Sequence, residues 1–471
     1  MVMKKLSVLA MAMIVMASCA KENVQPNNEP TGEKALLEIG LASTKTQLGK
    51  EDNGFFPIVW SEGDEIAVIE NMGVEGKQNV SVYSLREGAG TANGVFELVD
   101  GSPKVTNNVD VVYPASAVKG KGLIKDISLL VPKDQTQSYE DGNFDKNAAV
   151  MYFHRNNPAD KIVLEPLSSI ICIPIKGFDD NDVVTAVKWQ NMDGRTVDVT
   201  LNCPGEGVTL SKETATNFYL SIPPMTKDCN GIAYVYMKNG AIQVKTPRNL
   251  KAFKAGTLHR FPEWTLSKKA KWSILAQGSE RDNDTYKGVP YGPAKYMIDG
   301  NDVSWWEFRR ELNATKTGPK MAGPHTMVID LGSKQTINQI SIKSKEIKDS
   351  PKYGITYTDK NGKTVDIYGS QSFNPPHTFH IAFSEQQPTK DEIDQFVSKK
   401  IWPEIVSNKN DFTGTGTIDS NYGADKTKWW DNTLKQPVTA RYLFIHFEKA
   451  WDNAGTKPAA SMMKVAELDI Y

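Results

Sequence analysis

The chain has almost no net charge: 55 lysines and arginines stand against 56 aspartates and glutamates in 471 residues. No basic field is available to gather phosphates, so nucleic acid is not expected as a partner. Beyond the N-terminal segment no apolar run approaches the ~20 residues that a helix needs to cross a bilayer. Cysteine is scarce, with Cys172, Cys203 and Cys229 following an N-terminal Cys19. An odd set of three cannot complete a disulfide framework. A Cys203–Cys229 bridge is open to an oxidising compartment, and three buried thiols are the other reading. Sustained helical periodicity is nearly missing. Gly-x-Ser-x-Gly, a phosphate loop and His-Glu-x-x-His are all missing as well, so an enzyme is not expected. His377 and His380 stand three apart beside Pro375-Pro376. No carboxylate or cysteine near them in sequence completes a metal set, and they read as solvated loop residues.

What is present begins at the N-terminus. Lys4 and Lys5 precede an apolar run from Leu6 to Met16, then Ala17, Ser18 and Cys19. That is the layout of a cleavable signal peptide over residues 1–18. It resembles a lipobox, with Met16 where leucine is usual. The resemblance implies a diacylglycerol on Cys19 and attachment to a Gram-negative outer membrane; a cut after Ala20 that leaves a free thiol is the alternative. Residues 19–32 are polar, with Asn23, Asn27, Asn28, Pro26 and Pro30, and read as a flexible tether. Cys19-Ala20-Lys21-Glu22 resembles the short acidic export signal of surface lipoproteins, which implies a cell-surface location. The lipid is the expected membrane attachment.

From Ala35 onward short runs of β-formers alternate with turn residues. Ile58–Trp60 and Ile66–Ile69 flank Ser61-Glu62-Gly63-Asp64, and Val109–Tyr113 ends at Pro114. Later, Asp193-Gly194 separates Thr185–Trp189 from Thr196–Leu201, and Asn239-Gly240 separates Ile232–Met237 from Ala241–Lys245. Both dipeptides favour the positive φ of tight hairpins. The pattern predicts two β-sandwiches of ~100–120 residues each, at 33–155 and 156–266. Thr44-Lys45-Thr46, Val59-Trp60-Ser61-Glu62-Gly63-Asp64-Glu65-Ile66, Tyr113-Pro114-Ala115, Val131-Pro132 with Gln135, and Phe253-Lys254-Ala255-Gly256-Thr257-Leu258 together resemble the fimbrillin-like family. The resemblance implies two transthyretin-like sandwiches in a fimbrial subunit or a free surface adhesin. Trp60 reads as a core residue and Gly63-Asp64 as a turn. Stalk subunits of that family are activated by an arginine-specific protease near the first strand. Here no arginine occurs from Ala20 to Leu85, which argues against a polymerising stalk and leaves anchor, tip or independent adhesin.

The last segment, 268–471, contains Ala294–Trp306, Met327-Val328-Ile329-Asp330-Leu331-Gly332, Ala440–Ile445 and Val465–Tyr471 in that order. Asn361-Gly362 sits between Tyr353–Thr358 and Thr364–Ile367 as a further hairpin turn. The ordered pieces resemble the discoidin-type, galactose-binding-like domain, which implies a β jelly roll. Extra length falls at 369–437. There Thr389 and Glu392 form a capping box, and Ile393, Phe396, Val397 and Ile401 mark one apolar helical face ending before Pro403. The whole chain is therefore expected to be mainly β, with one helical insertion.

Two sites are expected in this segment. Asp299, Asn301, Asp302 and Ser304 supply closely spaced oxygens on an irregular loop, and Asp299-Gly300 allows a sharp turn. A hard cation such as calcium takes about six to eight oxygens. The resemblance adds the carbonyls of Tyr296 and Ala466 and the carboxylate of Glu467, and implies a structural Ca2+. An ion-free Asx turn with Glu467 in a salt bridge is the alternative. For glycan, Trp305, Trp429, Trp430, Trp451 and nearby Tyr422 are candidate loop aromatics, and Trp306 reads as core. In galactose-binding relatives a histidine and an arginine occupy the places of Glu307 and Lys345, so a ligand other than galactose is implied. The expected role is glycan-binding adhesin, with a glycan or glycoprotein as partner; the first alternative is a fimbrial accessory subunit contacting other fimbrial subunits, and the second a glycan-processing enzyme.

Overall fold

The computed structural model describes residues 36–41, 59–102, 108–126, 130–137, 145–157, 159–191, 198–225, 228, 231–247, 250–278, 284–286, 289–301, 304–307, 310–312, 319–321, 325–344, 356–358, 364–366, 376–407, 429–451, 458–459 and 464–471. Cys19, the tether, Cys229, Asp302, Lys345, Tyr422 and the Asp193-Gly194 and Asn361-Gly362 turns lie outside them. The described chain is mainly β. Among the described residues no helix is long and apolar enough to cross a membrane.

The first segment closes its strands into a barrel. Strand Leu36–Leu41 pairs antiparallel with Asn93–Asp100 on one side and parallel with Ile162–Pro166 on the other, which joins the ends. Trp60 is fully buried inside, edge-on to Phe96 at 4.8 Å and to Tyr113 at 5.5 Å. Its neighbouring turn is built as the sequence suggests. Gly63 takes φ +76°, the Asp64 carboxylate accepts from the Ser61 amide (2.8 Å), and the Tyr113 hydroxyl donates to the same carboxylate (3.0 Å). An aspartate buried this deeply is tolerated because both of its oxygens are hydrogen-bonded.

The second segment packs a six-stranded sheet, centred on Val183–Asn191 and Gly231–Met237, with a four-stranded sheet centred on Ser169–Lys176. Trp189, Phe218 and Val235 are among the buried residues that share their core. Gly231 is required there: a Cβ would fall 2.1 Å from Trp189 Cη2. Asn239-Gly240 turns the expected hairpin, with Gly240 at φ +86° and the Ala241 amide bonded to Asn239 Oδ1. Cys172 is buried and Cys203 half-buried.

Two strands cross the boundary drawn at residue 155: Ile162–Pro166 closes the first segment's barrel, and Asp134–Thr136 joins the second segment's sheet. Asp134–Thr136 runs parallel to Asp198–Asn202 in the second segment's sheet. Gln135 and Gln137, on one face by strand alternation, clasp strand Thr216–Ile222. Gln135 accepts from the Ser221 amide (2.9 Å) and donates to its carbonyl (2.6 Å). Gln137 does likewise with the Tyr219 amide and the Asn217 carbonyl.

The last segment forms a nine-stranded sheet around two long strands, Thr326–Ser344 and Trp429–Trp451. Trp272, Trp306, Ile342 and Phe447 are among its fully buried core residues. Helix Lys390–Lys399 carries the complete Thr389/Glu392 capping box. Phe396 and Val397 bury against Val328, Tyr442 and Phe444, with Ile393 packed beside them. Ile401 does not extend that face as expected. Lys400 enters the left-handed region at φ +60° and ends the helix, which leaves Ile401 49% exposed.

Candidate functional site

The segment from Ala294 to Asn301 is held against the second segment's sheet. Tyr296 packs with Ile232, Tyr234, Ile242 and Val244, and the Val244 amide donates to the Asp299 carbonyl. Gly300 takes φ +76°, where a Cβ would meet Gln243 Oε1 at 3.1 Å and Ser267 Oγ at 3.2 Å. The sharp turn expected at Asp299-Gly300 is therefore both a conformational and a steric need.

This turn aims Asp299 inward. Its Oδ1 accepts from the Asn301 amide at 2.8 Å, an Asx turn, and its Oδ2 from the Ser304 hydroxyl at 2.6 Å. The same hydroxyl lies 2.9 Å from the Asn301 carbonyl. Strand Lys464–Ile470 brings Glu467 and Asp469 to the same face, two residues apart. Ala466 falls in a register shift, where Lys343 pairs Glu467 but Ser344 pairs Val465. Tyr296, Asp299, Asn301, Ser304, Ala466 and Glu467 are all buried. Asp299, Asn301 and Ser304 are thus hydrogen-bonded together, with the Glu467 charge beside Asp299.

A residue that sequence reasoning missed sits among them. Lys269, in the short 3-10 turn Lys268–Lys271 capped by Ser267, is 4% exposed and pairs its ammonium with Glu467 Oε1. Its Nζ also lies 3.7 Å from Asp469 Oδ2. Lys268 Nζ reaches Asp469 Oδ1 at 2.9 Å and the Ile470 carbonyl at 2.6 Å. The only sequence signal was the lysine-rich run before Trp272, which looks like any solvated junction.

Burial pushes the Asp299 carboxyl well above its usual range; the Glu467 charge adds to this, and the hydrogen bonds from Ser304 and Asn301 and the charge of Lys269 oppose it. Burial likewise raises Glu467 to about 7, against the pull of Lys269. Both carboxyls therefore need compensating positive charge in a setting with little water.

These residues do not fit a calcium ion. A hard cation needs about six to eight oxygens directed at one centre. Here both Asp299 oxygens are taken by protein donors and Glu467 Oε1 by an ammonium. Among the described residues Glu467 Oε2 is a buried acceptor without a hydrogen-bond partner, and one such oxygen falls far short of the set.

Beside the cluster opens a cleft of about 320 Å3, lined by Ser267, Lys268, Gly300, Asn301, Trp429 and Asp469 together with the paired Lys269 and Glu467. Trp429 is half-buried, with the ammonium groups of Lys343 and Lys269 5.7 and 5.9 Å from its ring centroid. A larger cleft of about 530 Å3 lies where the second and third segments meet. Its charges are paired across the walls: Arg441 grips Asp330 at 2.8 and 2.9 Å, and Lys271 holds Asp179 and Asp182.

The other aromatic and polar expectations divide. Trp430 follows Trp429 in a strand and so faces the opposite side; it packs against the sheet's core, which removes it from a shared platform. Trp305 is not a loop aromatic: it is 1% exposed and stacked on Tyr291 at 4.6 Å. Glu307 is 3% exposed and accepts from the Trp305 indole at 3.2 Å, so it is not at hand for a ligand. Trp451 ends the strand that carries Trp429. His380 lies 2.8 Å from Glu448 and stacks on His446.

No protein-family model matches the chain, and no curated protein matches it by sequence. Similar solved structures include the family 32 carbohydrate-binding module of C. perfringens NanJ in complex with galactose, at 13% identity, over 43% of this chain and 95% of that one, with a TM-score of 0.24. The C-terminal domain of a chitobiase from Bacteroides fragilis aligns at 18% identity, over 44% and 95%, with a TM-score of 0.25. CBM32-3 from a family 31 glycoside hydrolase of Clostridium perfringens aligns at 15% identity, over 44% and 93%, with a TM-score of 0.26.

Proposed function

We propose that this protein is a surface-exposed outer-membrane lipoprotein, anchored through Cys19, that binds a glycan or glycoprotein through the cleft beside Trp429. In this reading residues 33–266 are the fimbrillin-like portion and residues 268–471 a discoidin-type, glycan-binding one. The observation that carries it is the setting of Trp429. Its ring is half-buried at the wall of a cleft whose other walls are charged and polar. A sugar has one apolar face and a rim of hydroxyls, so a ring beside hydrogen-bonding groups is the surface it needs. Lys268, Asp469 and Asn301 supply donors and acceptors within that cleft. The charged rim favours ligands rich in hydroxyl or ionic groups over apolar ones.

The test is a glycan array probed with the purified chain carrying Cys19→Ser, beside the same chain carrying Trp429→Ala. Reproducible signals that fade in the Trp429 variant are the expected result. An array on which no glycan is bound, or on which both proteins bind alike, would overturn the assignment.

A further inference from the structure

We propose that Lys269 is a tethered counter-cation: its ammonium neutralises the buried carboxylate cluster in place of a calcium ion and fastens the 267–271 junction to strand Lys464–Ile470. The argument starts from burial. A lysine 4% exposed must be paired, because an isolated ammonium out of water is costly. Lys269 finds its partner on Glu467, with Asp469 Oδ2 at 3.7 Å.

Local geometry supplies the reach. Ser267 caps the turn by accepting from the Lys269 amide and is itself held through its hydroxyl by Gln243 Oε1 at 2.8 Å. The backbone that carries Lys269 is therefore anchored to the second segment's strand Ile242–Lys245, while its side chain is anchored to the last strand of the sheet. One side chain joins residues 198 apart in sequence.

Charge decides between lysine and metal. Asp299, Glu467 and Asp469 face Lys268 and Lys269. With all three carboxyls ionised, two ammonium groups against three carboxylates leave one excess negative charge. A divalent ion added to them would reverse the excess and set two cations on one carboxylate. Removing the Lys269 ammonium reverses the situation. It frees Glu467 Oε1 beside the unpartnered Oε2 and leaves two buried carboxylates without their nearest cation. Such a gap is one that an oxygen-seeking divalent ion would enter.

The experiment is thermal melting of the purified Cys19→Ser chain with excess chelator and with millimolar calcium. For the wild-type cluster the two melting temperatures are expected to coincide. For Lys269→Met the melting temperature falls in chelator and recovers with calcium in a saturable manner, with one ion bound by calorimetry. A wild-type melting temperature several degrees lower in chelator would overturn the proposal, as would a Lys269→Met protein that melts like wild type in chelator. Should Lys269→Met fail to fold, Lys269→Met with Glu467→Gln removes both charges together. That pair is expected to fold, and its failure to do so would equally overturn the proposal. None of these readouts involves glycan, so they stand or fall apart from the role of Trp429.

Discussion

His325 lies at the start of strand Thr326–Ser344 and is 4% exposed. Burial holds its imidazole down, from an ordinary 6.5 to about 3; the neighbouring His446 and Lys400 add to the effect. The unfolded chain takes up a proton near 6.5, whereas the native protein does not until about 3. Stability from this group is therefore complete above the unfolded value and falls as pH drops below it. Taking ~1.36 kcal/mol per pH unit, acidification from about pH 7.5 to about pH 5 removes ~2 kcal/mol. Carboxylates also titrate toward the lower pH, so the assay is differential. Urea denaturation of wild type and His325→Gln is followed at both pH values. The wild type should lose ~2 kcal/mol more than the variant over that interval. Equal losses would show that His325 is not kept neutral by its surroundings, and the reasoning would fail.

Trp430→Ala should lower stability by about 2–3 kcal/mol, since the ring packs against the sheet core, and a melt of the variant reads this directly. Gly231→Ala should cost ~1–3 kcal/mol through overpacking on Trp189, read by the same melt; an unchanged midpoint would contradict the close approach. Cys19→Ser should abolish incorporation of labelled lipid and move the protein to the soluble fraction; retained labelling would contradict the anchor.

Local features were legible in the sequence. The Thr389/Glu392 capping box, the Asn239-Gly240 hairpin and the Gly63-Asp64 turn each depend on residues within a few positions. Trp60 was legible as core from its short β-run, and Trp306 only through the discoidin-type resemblance. What escaped depends on distant partners. Gln135 was legible only as one piece of a family-like motif; that its amide completes a strand 86 residues away was not. Lys269 carried no signal of its own, and only the return of Glu467 makes it a buried ion pair. Asp299, Asn301 and Ser304 were legible as neighbours on one turn; the positive charge beside them, on Lys269, was not. Among the aromatics, the Trp429-Trp430 doublet looked like one platform, and strand alternation splits it into one cleft ring and one core ring. Glu307 failed as a ligand group for a related reason: its strand turns it under Trp305 rather than outward.

The central claim is that a glycan stacks in the Trp429 cleft, and its most direct test is the affinity of the strongest array ligand for wild type and for Trp429→Ala. Calorimetric titration should give about tenfold weaker binding in the variant, ~1.4 kcal/mol, with the melting temperature unchanged. An affinity equal to wild type in a folded Trp429→Ala protein would contradict the claim.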